Sequence, residues 1–303
     1  MSTPADRHPT SSAARTVRAG IVQWEMRPFA SVDELAAHAG WYVDVLAGAG
    51  AQLVLFPEFF SIPLLALSPA GETPHAAMQR LAGTTPRIVD VLAERAQRHG
   101  TWIVAGSLPT RDGSRLLNSA FVLAPDGTRQ VQHKLHATPG ERTQWNIAGG
   151  EALTVVDTPF GRLGVLICYD VEFPEAARVL ADRGVDILCV PSWTDTRAGY
   201  LRVRHCAAAR AIENECYVLL AGSCGLLTGI DGVDSQYTRS AVLTPSDIAF
   251  PDSAVLAEAD AGTAQYLLAD LDPEKLAALR REGSVRNGRD RRRDLFDIHW
   301  RGR

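Results

Sequence analysis

From Val17 to Leu271, short apolar runs alternate with segments whose apolar residues recur at helical spacing, and no other feature narrows the fold as far. Val17–Trp24 reads as a strand. Val32–Ala49 reads as a helix, with Leu35, Ala39, Tyr42, Val43 and Leu46 at helical spacing and Gly48 and Gly50 at its end. Leu53–Phe56 is a short apolar strand closed by Pro57. Arg87–His99 is an amphipathic helix for which Thr85-Pro86 is the expected N-cap and first-turn pair, and Thr101–Gly106 is the next strand. Leu116–Leu123 and Arg129–His133 flank Ala124-Pro125-Asp126-Gly127-Thr128, a hairpin signal. Leu153–Asp157 and Leu163–Ile167 flank the turn Thr158-Pro159-Phe160-Gly161. Helices at about Pro174–Arg183 and Tyr200–Glu215 interleave with strands at Asp186–Val190 and Tyr217–Ala221. Further strands are expected at Ser240–Leu243, Val255–Ala259 and Tyr266–Leu271. Helices and strands mixed in this way, with several hairpins, predict an α/β layered domain with mixed rather than purely parallel sheets.

The 303 residues show no linker and no repeat at solenoid period, and 46% of them are hydrophobic, enough for a substantial core. A net charge of −4 argues against a general nucleic-acid or membrane-surface role, and no apolar run reaches membrane-spanning length. Five cysteines, an odd number without a Cys-x-x-Cys pair, fit a reducing cytoplasm rather than a disulfide framework. Residues 1–15, rich in Ser, Thr, Ala and Pro, are expected to be a disordered tail.

Three polar residues stand where apolar segments end. Cys168 terminates Gly164-Val165-Leu166-Ile167 and precedes a turn into a helix. A sharp bend there, amide N–H groups and a helix N-terminus favour a thiolate nucleophile, although most buried cysteines are inert packing. Glu58 lies among Phe56, Phe59 and Phe60. Buried there, it would have a raised pKa suited to a general base, and otherwise it points outward from a loop. Lys134 ends the second hairpin strand, either as a fixed ammonium for a developing oxyanion or as a solvated lysine.

Taken in order, Phe56-Pro57-Glu58, His133-Lys134-Leu135-His136 and Cys168-Tyr169-Asp170 with Phe173-Pro174-Glu175 resemble the nitrilase (carbon–nitrogen hydrolase) superfamily, amidase-type members in particular. Asn118-Ser119-Ala120 and the run Ala207-Ala208-Ala209-Arg210-Ala211 through Asn214 match as well, and the resemblance extends from about Val17 to Arg293-Asp294-Leu295-Phe296. It implies a four-layer α-β-β-α sandwich with two mixed sheets, occupying residues 16–283. It also implies a Glu-Lys-Cys triad carried by Glu58, Lys134 and Cys168, and a second glutamate supplied by Glu141 in Thr138-Pro139-Gly140-Glu141-Arg142. No metal or organic cofactor is implied.

The chemistry expected of this set is hydrolysis of a linear amide to a carboxylic acid and ammonia through a thioester. A nitrile or an N-carbamoyl amide is an alternative substrate, and a catalytically silent binding protein is the reading from another class. His133 with His136, or His205 with Cys206, lack a third metal ligand at a recognised spacing. The Cys-Gly-Ser-Cys-Trp context of a papain-like protease and a Gly-x-Ser-x-Gly elbow are absent. Gly161-Arg162-Leu163-Gly164 is no dinucleotide fingerprint.

By the same resemblance, Trp193 and Thr194, after the strand Asp186–Val190, line the pocket for a small-molecule amide, and the backbone N–H of Tyr169 faces the oxyanion. Arg197 offers a charge to a polar substrate tail or remains a surface residue, and Trp145 closes over the site. Residues 284–303 mix seven arginines with Asp290, Asp294 and Asp297 and with Leu295, Phe296, Ile298 and Trp300. That amphipathic extension is expected on a neighbouring subunit of a homodimer or larger even assembly.

Overall fold

The structure, a computed structural model, describes residues 16–230, 233 and 235–302, so the expected tail at 1–15 lies outside the described residues. The first strands are β1 (Val17–Glu25), β2 (Leu53–Leu55), β3 (Trp102–Asp112), β4 (Arg115–Leu123), β5 (Arg129–His133), β6 (Ile147–Ala148), β7 (Val155–Thr158) and β8 (Gly161–Val165). There follow β9 (Ile187–Pro191), β10 (Tyr217–Ala221), β11 (Ser223–Leu226), β12 (Ser235–Gln236), β13 (Ala241–Leu243), β14 (Val255–Glu258) and β15 (Gln265–Leu271). The helices are α1 (Val32–Gly48), α2 (Pro74–Ala82), α3 (Thr85–His99), α4 (Pro139–Gln144), α5 (Pro174–Asp182), α6 (Arg197–Asn214) and α7 (Pro273–Glu282).

One sheet runs β12-β11-β1-β2-β3-β4-β5, with β15 also on β1 and β6 on β4; the other runs β14-β13-β10-β9-β8-β7. Both are mixed. β1, β2 and β3 are parallel, joined through α1 and through α2 and α3, whereas β3-β4-β5 is an antiparallel meander.

Strand alternation sorts the side chains into two cores. Val17, Ala19 and Ile21 of β1 face the second sheet and pack with Leu163, Val165, Leu188 and Val190, together with Ala177 and Leu180 of α5 and Val203 and Ala207 of α6. Val22 and Val54 face the other way, into Leu35, Val43 and Leu46 of α1 and Ile88 and Leu92 of α3. The layers are therefore α1/α3, sheet, sheet, α5/α6: an α-β-β-α sandwich with two mixed sheets. Each fully buried Val, Leu or Ile in these cores contributes roughly 1.5–3 kcal/mol relative to exposure.

Local readings differ from the structure in instructive places. Thr85 is the first residue of α3, not its cap. Its Oγ1 donates to Pro109 O at 2.6 Å, and the capping position falls to Thr84, whose side chain makes no capping bond. The strand expected to reach Ile167 stops at Val165, because Cys168–Glu172 winds into a 3-10 turn before α5. Helices α2, α4 and α7 have no counterpart in the sequence reading.

The C-terminal extension is anchored to its own chain. Arg291 and Arg293 both reach Asp182 Oδ1, at 2.6 and 2.8 Å, and Ile298 and Trp300 pack against the inter-sheet core. Leu295 and Phe296 remain exposed. Among the described residues, no helix is long and apolar enough to cross a membrane.

Candidate active site

Glu58 enters the site because the chain leaves β2 along a path fixed by Gly106. Phe59 N donates to Ser107 O at 2.8 Å and Ser107 N to Pro57 O at 3.3 Å, which pins residues 57–59 to β3. Gly106 has φ +55°, and a Cβ there would stand 1.9 Å from Pro57 O, so only glycine lets the two backbones approach this closely. Phe59 itself is held at φ +52°, in the left-handed region that non-glycine residues rarely occupy.

Lys134 continues β5 by one residue. Its N–H donates to Asn118 O at 2.8 Å and its carbonyl accepts from Gly150 N at 2.7 Å. Glu141 arrives on α4 through a capping box. Thr138 Oγ1 accepts from Glu141 N at 3.2 Å, and Glu141 Oε2 accepts from Thr138 N at 2.6 Å. Cys168 opens the 3-10 turn after β8 at φ +48°. Strained backbone therefore occurs at the thiol and next to Glu58, as it also does at Asn146, Glu215 and Ala254 among the described residues.

These four side chains converge in a sealed space. Lys134 Nζ lies 2.8 Å from Glu58 Oε1 and 2.9 Å from each oxygen of Glu141, and all three side chains are at most 5% exposed. Burial works against the charge of Lys134, but the carboxylates of Glu141 and Glu58 outweigh it and hold the ammonium well above the usual lysine range. Burial pushes Glu58 up to about 7; Lys134 opposes the shift and Glu141 adds to it. The Cys168 thiol donates to Trp193 O at 3.7 Å, with the Glu58 carboxylate close enough to act on it electrostatically. Burial and the Glu58 charge raise it well above the ordinary range, against the pull of Lys134. The sequence reading favoured a thiolate, whereas burial and the neighbouring Glu58 charge both favour the protonated thiol.

The residues expected at the substrate are divided. Trp145 and Trp193 both meet the Phe59 ring edge-on, at 5.6 and 6.2 Å, and lie 6.0 Å from each other, forming an aromatic wall beside Glu58. Tyr169 is half-buried between Phe173 and His136. Thr194 is buried with its hydroxyl committed to Tyr237 O at 2.7 Å. Arg197 is exposed in the first turn of α6.

His133 and His136 turn to separate partners, Ser119 Oγ and Asp170 Oδ1, and among the described residues no three His, Cys, Asp or Glu side chains could hold a metal ion.

Two residues quoted above only as parts of motifs hold the site together. Asn118 Nδ2 donates to Glu58 Oε1 at 2.8 Å and to Glu141 Oε1 at 3.2 Å. Asp170 accepts from the backbone of Leu135, His136 and Ile167. A third, His75 of α2, donates from Nδ1 to Trp145 O at 2.8 Å. The hairpin register was a usable signal for Asn118, since it sets Ser119 opposite His133 and so Asn118 beside Lys134.

A two-sheet sandwich with buried Glu58, Lys134 and Cys168 just beyond its strand ends and Glu141 on α4 beside them defines a class, and residues 18–281 match the carbon-nitrogen hydrolase family, to which this chain belongs. It is 36% identical over 289 residues to the probable hydrolase YhcX of Bacillus subtilis (strain 168), covering 95% of this chain but only 56% of that one, about half its length. It is 31% identical over 263 residues to the omega-amidase NIT2-A of Xenopus laevis, covering 83% and 87% of the two chains. Among solved structures, a mutant of the amidase from Nesterenkonia sp. AN1, carrying the acetamide moiety of fluoroacetamide on its active-site cysteine, superposes with a TM-score of 0.73. That match covers 94% and 97% of the chains at 22% identity, a likeness of fold.

Proposed function

We propose that the chain is an amidase that hydrolyses linear amides to carboxylic acid and ammonia, with Cys168 as nucleophile, Glu58 as base and Lys134 as oxyanion partner. The observation that carries this reading is the buried cluster in which Lys134 Nζ lies 2.8 Å from Glu58 Oε1 and 2.9 Å from both oxygens of Glu141, beside the buried Cys168 thiol, with the Glu58 carboxyl pushed up to about 7 by burial. Such a carboxylate can take the thiol proton as the sulfur attacks the amide carbon, forming the S–C bond while the carbonyl π electrons move to oxygen. The Lys134 ammonium and the Tyr169 backbone N–H receive the oxyanion. On collapse the C–N bond breaks, Glu58 gives its proton to the departing nitrogen, and ammonia leaves a thioester. Water then attacks the thioester with Glu58 as base, and the acid departs as the thiol is restored.

Glu141, bonded to Lys134 through both oxygens, orients the ammonium. The wall of Phe59, Trp145 and Trp193 suits an acyl chain with an apolar stem. The omega-amidase relative favours an amide over a nitrile or an N-carbamoyl amide. We place the protein in a reducing compartment such as the cytoplasm, consistent with five unpaired cysteines, and as an even homo-oligomer, for which exposed Leu295 and Phe296 offer apolar surface. A monomer mass in light scattering would remove the oligomer from this reading.

A panel of short amides, ω-amides, N-carbamoyl amino acids and nitriles, scored by ammonia release, tests the function. Turnover of amides that disappears with Cys168→Ala is expected. Turnover of nitriles alone would move the chain to the nitrilase reading, and no turnover of any class would leave a binding protein.

A further inference from the structure

Asn118 touches three of the four groups at the centre of the site. Its Nδ2 donates to Glu58 Oε1 and Glu141 Oε1, and its backbone carbonyl accepts from Lys134 N. The side chain is fully buried. The opposite amide rotamer would point Oδ1 at two carboxylates, so the network itself fixes which end of the amide faces them.

The electrostatics explain why a neutral donor belongs here. Two carboxylates and one ammonium leave the sealed cluster one negative charge in excess, and each carboxylate wants donors that add no further charge. Lys134 divides its ammonium between both glutamates. The second donor to Glu58 Oε1, a neutral one, is Asn118 Nδ2. The strand places it reliably: Asn118 faces the site, while on the opposite face of β4 Ser119 Oγ bonds His133 Nδ1 at 2.8 Å and secures the β4–β5 register.

We propose that Asn118 is a positioning residue whose amide spans the two glutamates, holding Glu58 ionised and aimed at the Cys168 thiol while Glu141 stays on Lys134. The proposal rests on the reading of Glu58 as the base, and its test separates the two. The rate of iodoacetamide alkylation of Cys168 and kcat/KM on an amide substrate are measured across pH for wild type, Glu58→Gln, Asn118→Ala and Asn118→Asp, each with a thermal melt. Loss of this donor to a buried carboxylate should move the acid limb of both profiles upward by about one pH unit or more in Asn118→Ala. kcat should fall about tenfold or more with KM changed less, and Asn118→Asp, which adds a third carboxylate, should be worse.

Should Asn118→Ala not fold, Asn118→Ser offers one proton in place of two, and the same upward movement is expected. An acid limb that vanishes in Glu58→Gln but stays in place in the folded Asn118 variants overturns the positioning role and leaves Glu58 as base. An acid limb unchanged in Glu58→Gln overturns both.

Discussion

Asp170 Oδ1 accepts two hydrogen bonds from His136, one from its backbone N–H at 2.8 Å and one from its ring Nδ1 at 2.9 Å. The other oxygen, Oδ2, accepts from Leu135 N at 3.1 Å and Ile167 N at 3.3 Å. One carboxylate thus ties the segment after Lys134, in the first sheet, to the turn bearing Cys168, in the second. Phe173 stacks on the His136 ring at 3.8 Å and covers the tie.

Asp170→Asn should behave as a severe substitution despite its size. Whichever way the amide turns, its NH2 faces two N–H donors that a carboxylate had satisfied. The expected loss is at least about 2 kcal/mol in urea denaturation, with amide turnover falling further than stability because Lys134 and Cys168 lose their common anchor.

Cys168→Ala should abolish turnover and leave the melting temperature within a few degrees of wild type, since the thiol is a small buried group with a single long hydrogen bond among the described residues, to Trp193 O. With wild type and a slowly hydrolysed amide, intact-protein mass spectrometry should find the acyl adduct on Cys168. Wild-type rates from the alanine variant would overturn the nucleophile assignment.

Glu58 predicts the pH behaviour of both activity and stability. With its folded value near 7, kcat/KM should fall as pH drops below about 7, where the carboxyl is protonated and cannot accept the thiol proton. Stability runs the other way. A carboxyl whose folded value lies above the unfolded one stabilises the fold fully only below the unfolded value, and that contribution is lost as pH rises through about 7. Glu58→Gln removes the buried charge and leaves Lys134 bonded to Glu141. It should be inactive, yet at pH 8 at least as stable as wild type by thermal melt, with the margin narrowing toward pH 5.

Gly106→Ala tests the route by which Glu58 arrives. The added Cβ would overlap Pro57 O, and the position has positive φ, so the segment 57–59 must shift. A stability loss above about 1 kcal/mol is expected from the backbone alone. The deciding measurement is the activity of the folded fraction, which should drop far more than stability does, because the displaced segment carries Glu58, the proposed base.

The layered α/β domain with mixed sheets was legible in the sequence because its strands alternate and its helices carry apolar faces, whereas the four-layer sandwich was implied by the family resemblance. β4, β5 and β10 and their connections follow from period and turn residues alone. Legibility failed where the structure is decided by tertiary contact. The helix α4 is six residues long, too short for a periodicity signal, and exists through the Thr138–Glu141 capping box and the grip of Lys134. Thr85 looks like a cap but is drawn to Pro109 O on a neighbouring strand. Glu58, Lys134 and Cys168 stood out because polar groups ending apolar runs are conspicuous. Asn118 and Asp170 did not, since a lone amide in a strand and an acid in a turn have ordinary local explanations, and their work is visible only once β4, β5 and the Cys168 turn are brought together.

Glu141 Oε2 caps α4 and also grips Lys134. The same oxygen therefore reports on two events, the winding of a turn and a half of helix and the neutralisation of a buried ammonium. Fraying of that short segment strips Lys134 of a partner while the two sheets and their cores stand untouched. Heat inactivation should run ahead of the cooperative melt, which makes six residues outside both cores the thermal fuse of the whole catalyst.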